Sequence, residues 1–354
     1  MKTMTNDMHV KLWLYTVTGL IIVMVVVGGL TRLTDSGLSI VEWAPIAGAI
    51  PPLSHADWLL EFEKYKTISE YQRQNAGMSL DEFKFIYWWE WGHRQLGRLI
   101  GFAFAIPLVV FLINGKLRGG WAIYMIFLLG LGGMQGFVGW FMVESGVVED
   151  RLDVSPYRLA MHLGLAVVVL GLVYHAARSW DMAGRAVRTN IWPVVFLGFL
   201  YLQIISGAFV AGTDAGMIYN SWPLMEGAVI PEGLYMDPTP VRASFEDHLT
   251  VQFNHRMLAY FVFALGLFAA WKVRDVMPKH ALLLAVLLTG QVVLGIITLV
   301  TVAAYEHIWL AAFHQLLGVL LYLVAVDLVA RSYPIKLGAS RASQSNSSGD
   351  VSVV

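Results

Sequence analysis

The stretch 28-GGLTRLTDSGLSIVEWAPIAGAIPP-52 returns as 207-GAFVAGTDAGMIYNSWPLMEGAVIP-231, without a gap and 179 residues later. Gly28, Thr34, Asp35, Gly37, Trp43, Gly48, Ala49 and Pro52 match Gly207, Thr213, Asp214, Gly216, Trp222, Gly227, Ala228 and Pro231. More matches follow in the same order: His93-Arg94 with His255-Arg256, Gln135 with Gln291, Gly139 with Gly295, and His162 with His314. The spacing contracts along the way because the loops differ in length. The chain therefore reads as one fold written twice.

Each copy begins where a long apolar run ends. Runs long enough to cross a hydrocarbon core of ~30 Å, about 20 residues, lie near 11–30, 86–113, 121–143, 157–177, 192–212, 248–271, 281–303 and 309–331. Four runs per copy is an even number, so both copies enter on the same side. This is a parallel repeat, unlike the inverted repeats of many secondary transporters. The expected architecture is an all-α polytopic membrane protein with eight transmembrane helices in two parallel-repeat four-helix bundles, 1–190 and 191–333. A polar, disordered cytoplasmic tail is expected over 334–354.

Composition agrees. Charged residues make up 14% of the chain, against about 25% in soluble domains. A net charge of −1 gives no basic footprint for nucleic acid. Cysteine is absent, which excludes disulfides, thiolate metal sites and cysteine nucleophiles. Ligation chemistry must fall on histidine, carboxylate or methionine.

The short loops carry Lys116, Arg118, Arg178, Arg185, Arg188, Lys272, Arg274 and Lys279, and the termini are basic too. The positive-inside rule puts these in the cytoplasm and the long connections, 31–85 and 213–247, outside. The first apolar run lacks a small-residue cleavage site and reads as a retained helix. No transit peptide precedes it, which favours a bacterial inner membrane. In the first outer loop, Ser54 with Asp57 and Ser79 with Glu82 read as capping boxes. Trp58, Leu59, Phe62 and Tyr65 then predict an amphipathic helix on the membrane surface. The second box opens a helix running to about Ile113, ~50 Å at 1.5 Å per residue, so its first turns should stand above the lipid.

Those turns contain 87-YWWEWGHRQLGR-98, with Glu90, His93, Arg94 and Arg98. Charges cost about 2.5–3.5 kcal/mol each at the centre of a membrane helix, so a wet helix end or a cofactor must compensate them. The even-numbered spans each carry one histidine early: His93, His162, His255 and His314. Ser155-Pro156, Asp247 and Glu306 set the last three about two turns in. Helices 8–10 Å apart can offer two imidazoles to one planar metal macrocycle, so the pattern predicts haem iron ligation in each half. Glu90 stands three residues before His93, where the second copy has Gln252. A carboxylate there can carry protons or stabilise positive charge. Arg94 and Arg256 can meet haem propionates or snorkel outward. His9, His55, His175, His280, His248 and His307 read as surface or hydrogen-bonded residues.

At GGLTRLTDSGLSIVEW, EFKFIYWWEWGHRQLGR, GGMQGFVGW, VSPYRLAMHL, GTDAGMIYNSWPLM, QFNHR and LAAFHQ the chain resembles the haem A synthase (CtaA/Cox15) family, in its cysteine-free proteobacterial and mitochondrial type. The resemblance implies O2-dependent oxidation of the C8 methyl of haem O to a formyl group through haem I, for cytochrome c oxidase assembly. It implies that His255 and His314 hold a haem b cofactor, that His93 and His162 form the substrate or catalytic haem site, and that Glu90 is the family's required glutamate. Haem O is the implied substrate. The electron donor, direct delivery from haem O synthase and homo-oligomerisation stay open. The rival readings are a dihaem b-type cytochrome linked to quinone, a transporter and a non-enzymatic haem carrier. A transmembrane electron relay wants haems near opposite faces, whereas both pairs here are expected near the outer one. The span centres, such as 165-LAVVVLGLV-173, are too apolar for a transporter.

Overall fold

The computed structural model describes residues 7–148, 151–236, 239–302 and 307–337. Eight helices in it are long and apolar enough to cross a membrane, and the chain is an all-helical multi-pass membrane protein. In chain order the helices are α1 (Met8–Leu33), α2 (His55–Tyr65), α3 (Ser69–Arg73), α4 (Leu80–Ile113), α5 (Gly119–Val148), α6 (Pro156–Asp181), α7 (Trp192–Gly212), α8 (Pro240–Glu246), α9 (His248–Val273), α10 (Pro278–Val300) and α11 (His307–Ser332). Most of the expected tail, 338–354, and Glu306 lie outside the described residues.

Local signals fix the ends. Both capping boxes form, Ser54 with Asp57 and Ser79 with Glu82. Asp247 caps α9 through the Thr250 N–H and hydroxyl at 2.8 and 2.6 Å. Ser155 stands at the N-cap of α6, but its side chain makes no capping bond. Its N–H donates instead to Ser145 Oγ at 2.8 Å, tying α6 to the end of α5.

Within the first copy α1 packs on α4 and α6, and α5 on α6; within the second α7 packs on α9 and α11, and α10 on α9 and α11. The copies meet where α6 lies against α7 and α11, and α1 against α11. The central position of α6 shows in its burial: 44% of its apolar window is covered, against 11% for α5 and α10, which form the periphery. Small residues bring the central helices together, as membrane packing requires. Gly164 of α6 faces Tyr201 and Ile205 of α7, and Gly171 faces the Tyr322 hydroxyl of α11. Gln315 of α11 lies across Gly29 and donates to the Val25 carbonyl of α1 at 2.8 Å.

The early turns of α4 are covered by α2. Phe62 of α2 stacks on Phe83 with centroids 4.9 Å apart, and Trp58 meets Tyr87 at 5.0 Å. Phe62 and Tyr65 are buried while Leu59 and Leu60 stay exposed. The apolar stripe of α2 is thus taken up largely by the aromatic surface of α4.

Candidate functional site

The four even-span histidines occupy equivalent places. His93 lies on α4 against Gly28 of α1, His162 on α6 against Gly139 of α5, His255 on α9 against Gly207 of α7, and His314 on α11 against Gly295 of α10. The fit depends on the missing side chain. A Cβ at Gly28, Gly139, Gly207 or Gly295 would stand 3.1, 2.8, 3.3 or 2.8 Å from the imidazole. His93 and His162 lie within electrostatic range of each other, as do His255 and His314. All four rings are part-buried.

Three imidazoles carry a second partner one helical turn before the facing glycine. The Gln135 amide nitrogen donates to the His162 carbonyl at 3.0 Å and lies 3.1 and 3.5 Å from the two ring nitrogens. Gln291 treats His314 the same way, at 3.0, 3.2 and 3.3 Å. So does Gln203 with His255, at 3.1, 3.1 and 3.2 Å. Near-equal distances to both nitrogens place the amide over the ring rather than along one lone pair, so it braces the imidazole without occupying its ligating direction. The oxygens of all three amides are buried with no hydrogen-bond partner, a cost that implies a further group in these pockets. Gln135 and Gln291 figured in the repeat; Gln203 did not. Its signal is the Gln-x-x-x-Gly spacing, common to 135–139, 203–207 and 291–295, which sets both residues on one helix face.

The residues fit a haem. Among the described residues no group of three or more His, Asp or Glu converges as an ion site. Two imidazoles per site are too few for a tetrahedral ion but match the two axial positions that a porphyrin leaves open.

The charges of 87-YWWEWGHRQLGR-98 find partners within the chain itself. Glu90 is buried, 3% exposed. Its Oε2 accepts from Ser39 Oγ and the Ile40 N–H, both at 2.8 Å, and its Oε1 accepts from Arg94 at 2.7 Å. Arg94 also donates to the carbonyls of Ile40 and Glu42, Gln95 to those of Gly48 and Ala49, and Arg98 to those of Ala44 and Pro45. Segment 39–49 is strapped along α4, and its backbone solvates the helix charges. The second copy repeats the device: Arg256 donates to the carbonyls of Tyr219 and Ser221, the counterparts of Ile40 and Glu42, and to Gln252. Gln252 donates to the carbonyls of Ala215 and Ile218, both at 2.6 Å. Both arginines bind loop carbonyls.

The other histidines have ordinary surroundings. His9 and His55 are exposed, as is His248. His175 donates to the Tyr333 carbonyl at 3.0 Å, and His280 lies 3.1 Å from Asp327. The side chain of His307 lies outside the described residues.

A family model for COX15-CtaA, described as cytochrome oxidase assembly protein, matches residues 11–326. A relative from Dinoroseobacter shibae, named heme A synthase, is 49% identical over 325 residues, covering 86% of this chain and 82% of its own. Proteins of the same name from Maricaulis maris and Azorhizobium caulinodans are each 48% identical, covering 91% and 89% of this chain and 95% and 91% of theirs.

Proposed function

The chain belongs to the COX15-CtaA family of cytochrome oxidase assembly proteins, and from that premise we propose how its two copies of one fold divide their work. The activity is that of an oxidoreductase converting haem O to haem A: the C8 methyl of haem O becomes a formyl group at the expense of O2. In our reading the first copy, residues 1–190, binds haem O between His93 and His162, and the second, 191–333, holds haem b between His255 and His314. Each copy forms a four-helix bundle, with the sites toward the periplasmic side of a bacterial inner membrane and the basic loops in the cytoplasm. When bound, haem b supplies one-electron redox chemistry.

The observation that carries this division is the exchange of Glu90 for Gln252 in two otherwise parallel sites. Both residues fasten the outer segment above their histidine. Only Glu90 brings a negative charge, and only Glu90 holds a hydroxyl, that of Ser39 at 2.8 Å. The pair Glu90 Oε2 and Ser39 Oγ can hold a proton beside the pocket and pass it on, while Arg94 keeps the carboxylate in place. The apolar walls and the strap 39–49 exclude water from the substrate. A dihaem electron relay is not favoured, because the depths of His162, His255 and His314 along their helices are alike.

The test is haem extraction and chromatography from cells making haem O, with and without the protein. New haem A is the expected result. Haem b bound to the protein with no haem A, under O2, would mean a carrier or a cytochrome. In the same assay Glu90→Ala should retain haem in the second copy and lose haem A formation, whereas His255→Ala or His314→Ala should lose that haem. Full turnover by Glu90→Ala would remove the carboxylate from the mechanism.

A further inference from the structure

The four imidazoles occupy equivalent places but are not held alike. Gln135, Gln203 and Gln291 brace His162, His255 and His314, and His255 gains a further contact from Ser206 Oγ to its Nδ1 at 3.2 Å. The first copy has Met24 in the place of Gln203 and Val27 in the place of Ser206, at the same 179-residue offset that relates Gly28 to Gly207. Neither side chain can hold an imidazole. Met24 turns its methyl group toward Gly97, one turn beyond His93, within 3.3 Å of where a Cβ there would stand. His93 has no hydrogen-bonding partner among the described residues. Its ring is also turned differently. His162, His255 and His314 bring Cε1 closest to their glycines, whereas His93 brings Nε2 closest, with Cδ2 next.

Partners of a ligating histidine fix its orientation and raise its basicity, and losing one typically weakens metal binding by about 10- to 100-fold. We propose that His93 is the exchangeable iron ligand of the chain, released from the haem held by His162, and that Met24 and Val27 make it so by withholding the brace that the other three histidines receive. The proposal rests on the reading that each histidine pair holds a haem. Its chemical sense is that iron with two permanent axial ligands offers no position to a third molecule. One ligand of the reacting site must leave, whereas both ligands of a resident redox haem should stay. The ligand that leaves stands one turn from Glu90, whose counterpart in the second copy is Gln252. His162, braced by Gln135, is the ligand that remains.

Carbon monoxide binding to the reduced, haem-loaded protein tests this directly, with haem per chain measured alongside. Wild-type protein should bind carbon monoxide at the first-copy haem and not at the second. Met24→Gln with Val27→Ser, which transplants the second-copy environment, should lower that affinity by about tenfold or more at unchanged haem content. Gln203→Met with Ser206→Val should create carbon monoxide binding in the second copy, which also guards against a first-copy variant that merely fails to fold. Unchanged binding in both variants, with haem content and low-spin spectra intact, overturns the proposal. So does raised binding in Gln135→Leu without an effect of Met24→Gln and Val27→Ser, which would make His162 the leaving ligand. Failure of the underlying reading looks different: haem content would then survive loss of His255 and His314, or of His93 and His162.

Discussion

Gly139 and Gly295 set the tolerance of the histidine pockets. A Cβ at either would stand 2.8 Å from an imidazole Cε1, closer than packed interiors permit, so the ring would have to shift. Overpacking of this kind costs about 1–3 kcal/mol, or about 10- to 100-fold in an affinity. Gly295→Val should therefore strip haem from the second copy while leaving the first loaded, read as haem per chain after detergent purification. Gly207→Ala is the milder counterpart, since its 3.3 Å contact asks the ring to move by only a few tenths of an ångström. Equal haem retention in Gly295→Val and the parent would mean that His314 does not ligate.

At the scale of elements, the first outer loop is held by buried polar contacts as well as by aromatic packing. Glu70 of α3 is 3% exposed and accepts from the Tyr65 hydroxyl at 2.8 Å, and Asn75 donates to the same hydroxyl at 2.7 Å. Burial pushes the Glu70 carboxyl up from 4.5 to about 8, against the lowering effect of the Tyr65 hydrogen bond. Between those values the folded loop binds more protons than the unfolded chain does. Its contribution to stability is complete below the lower value and is lost as pH rises through the upper one. Limited proteolysis of 55–80 should accelerate between about pH 5 and pH 8.5 and level off above. Glu70→Gln, permanently neutral, should give a flat profile; a rise as steep as the parent's would place the sensitivity elsewhere.

At the scale of the molecule, ion pairs join the two copies at both ends of the long helices. At one end Arg32 of α1 meets Asp35 at 2.8 Å, Asp153 at 3.4 Å and, from the other copy, Asp214 at 2.8 Å. At the opposite end Asp327 of α11 accepts from Arg178 of α6 and from Arg331, and lies 3.1 Å from His280 of α10. Arg178 also donates to the Tyr15 hydroxyl of α1. Asp327 is nearly buried, its side chain 9% exposed. Asp327→Ala removes the carboxylate shared by Arg178 and Arg331, leaving Arg178 with the Asp181 carboxylate alone at 2.9 Å, and should cost about 3 kcal/mol, measured as lost stability to unfolding in detergent. Arg331→Ala removes a more exposed partner and should cost less than about 1 kcal/mol. A reversed order would mean that the cluster is not what joins α6 to α11.

The sequence by itself determined the eight spans, the caps at Ser54, Ser79 and Asp247 and the equivalence of four histidines. Those properties are local: run length, a Ser or Asp with its partner three residues on, and a repeat that puts like residues at like depth. Only the tertiary structure decided where Glu90, Arg94 and Arg98 spend their charge, because the carbonyls that solvate them come from a loop some fifty residues away whose path no local spacing records. It decided equally that Gln203 braces His255 while Met24 leaves His93 unbraced, and that Arg32 reaches Asp214 across the two copies. A buried polar group is satisfied by whatever donor or acceptor the fold brings within about 3 Å of it, and that partner is a property of packing rather than of sequence order.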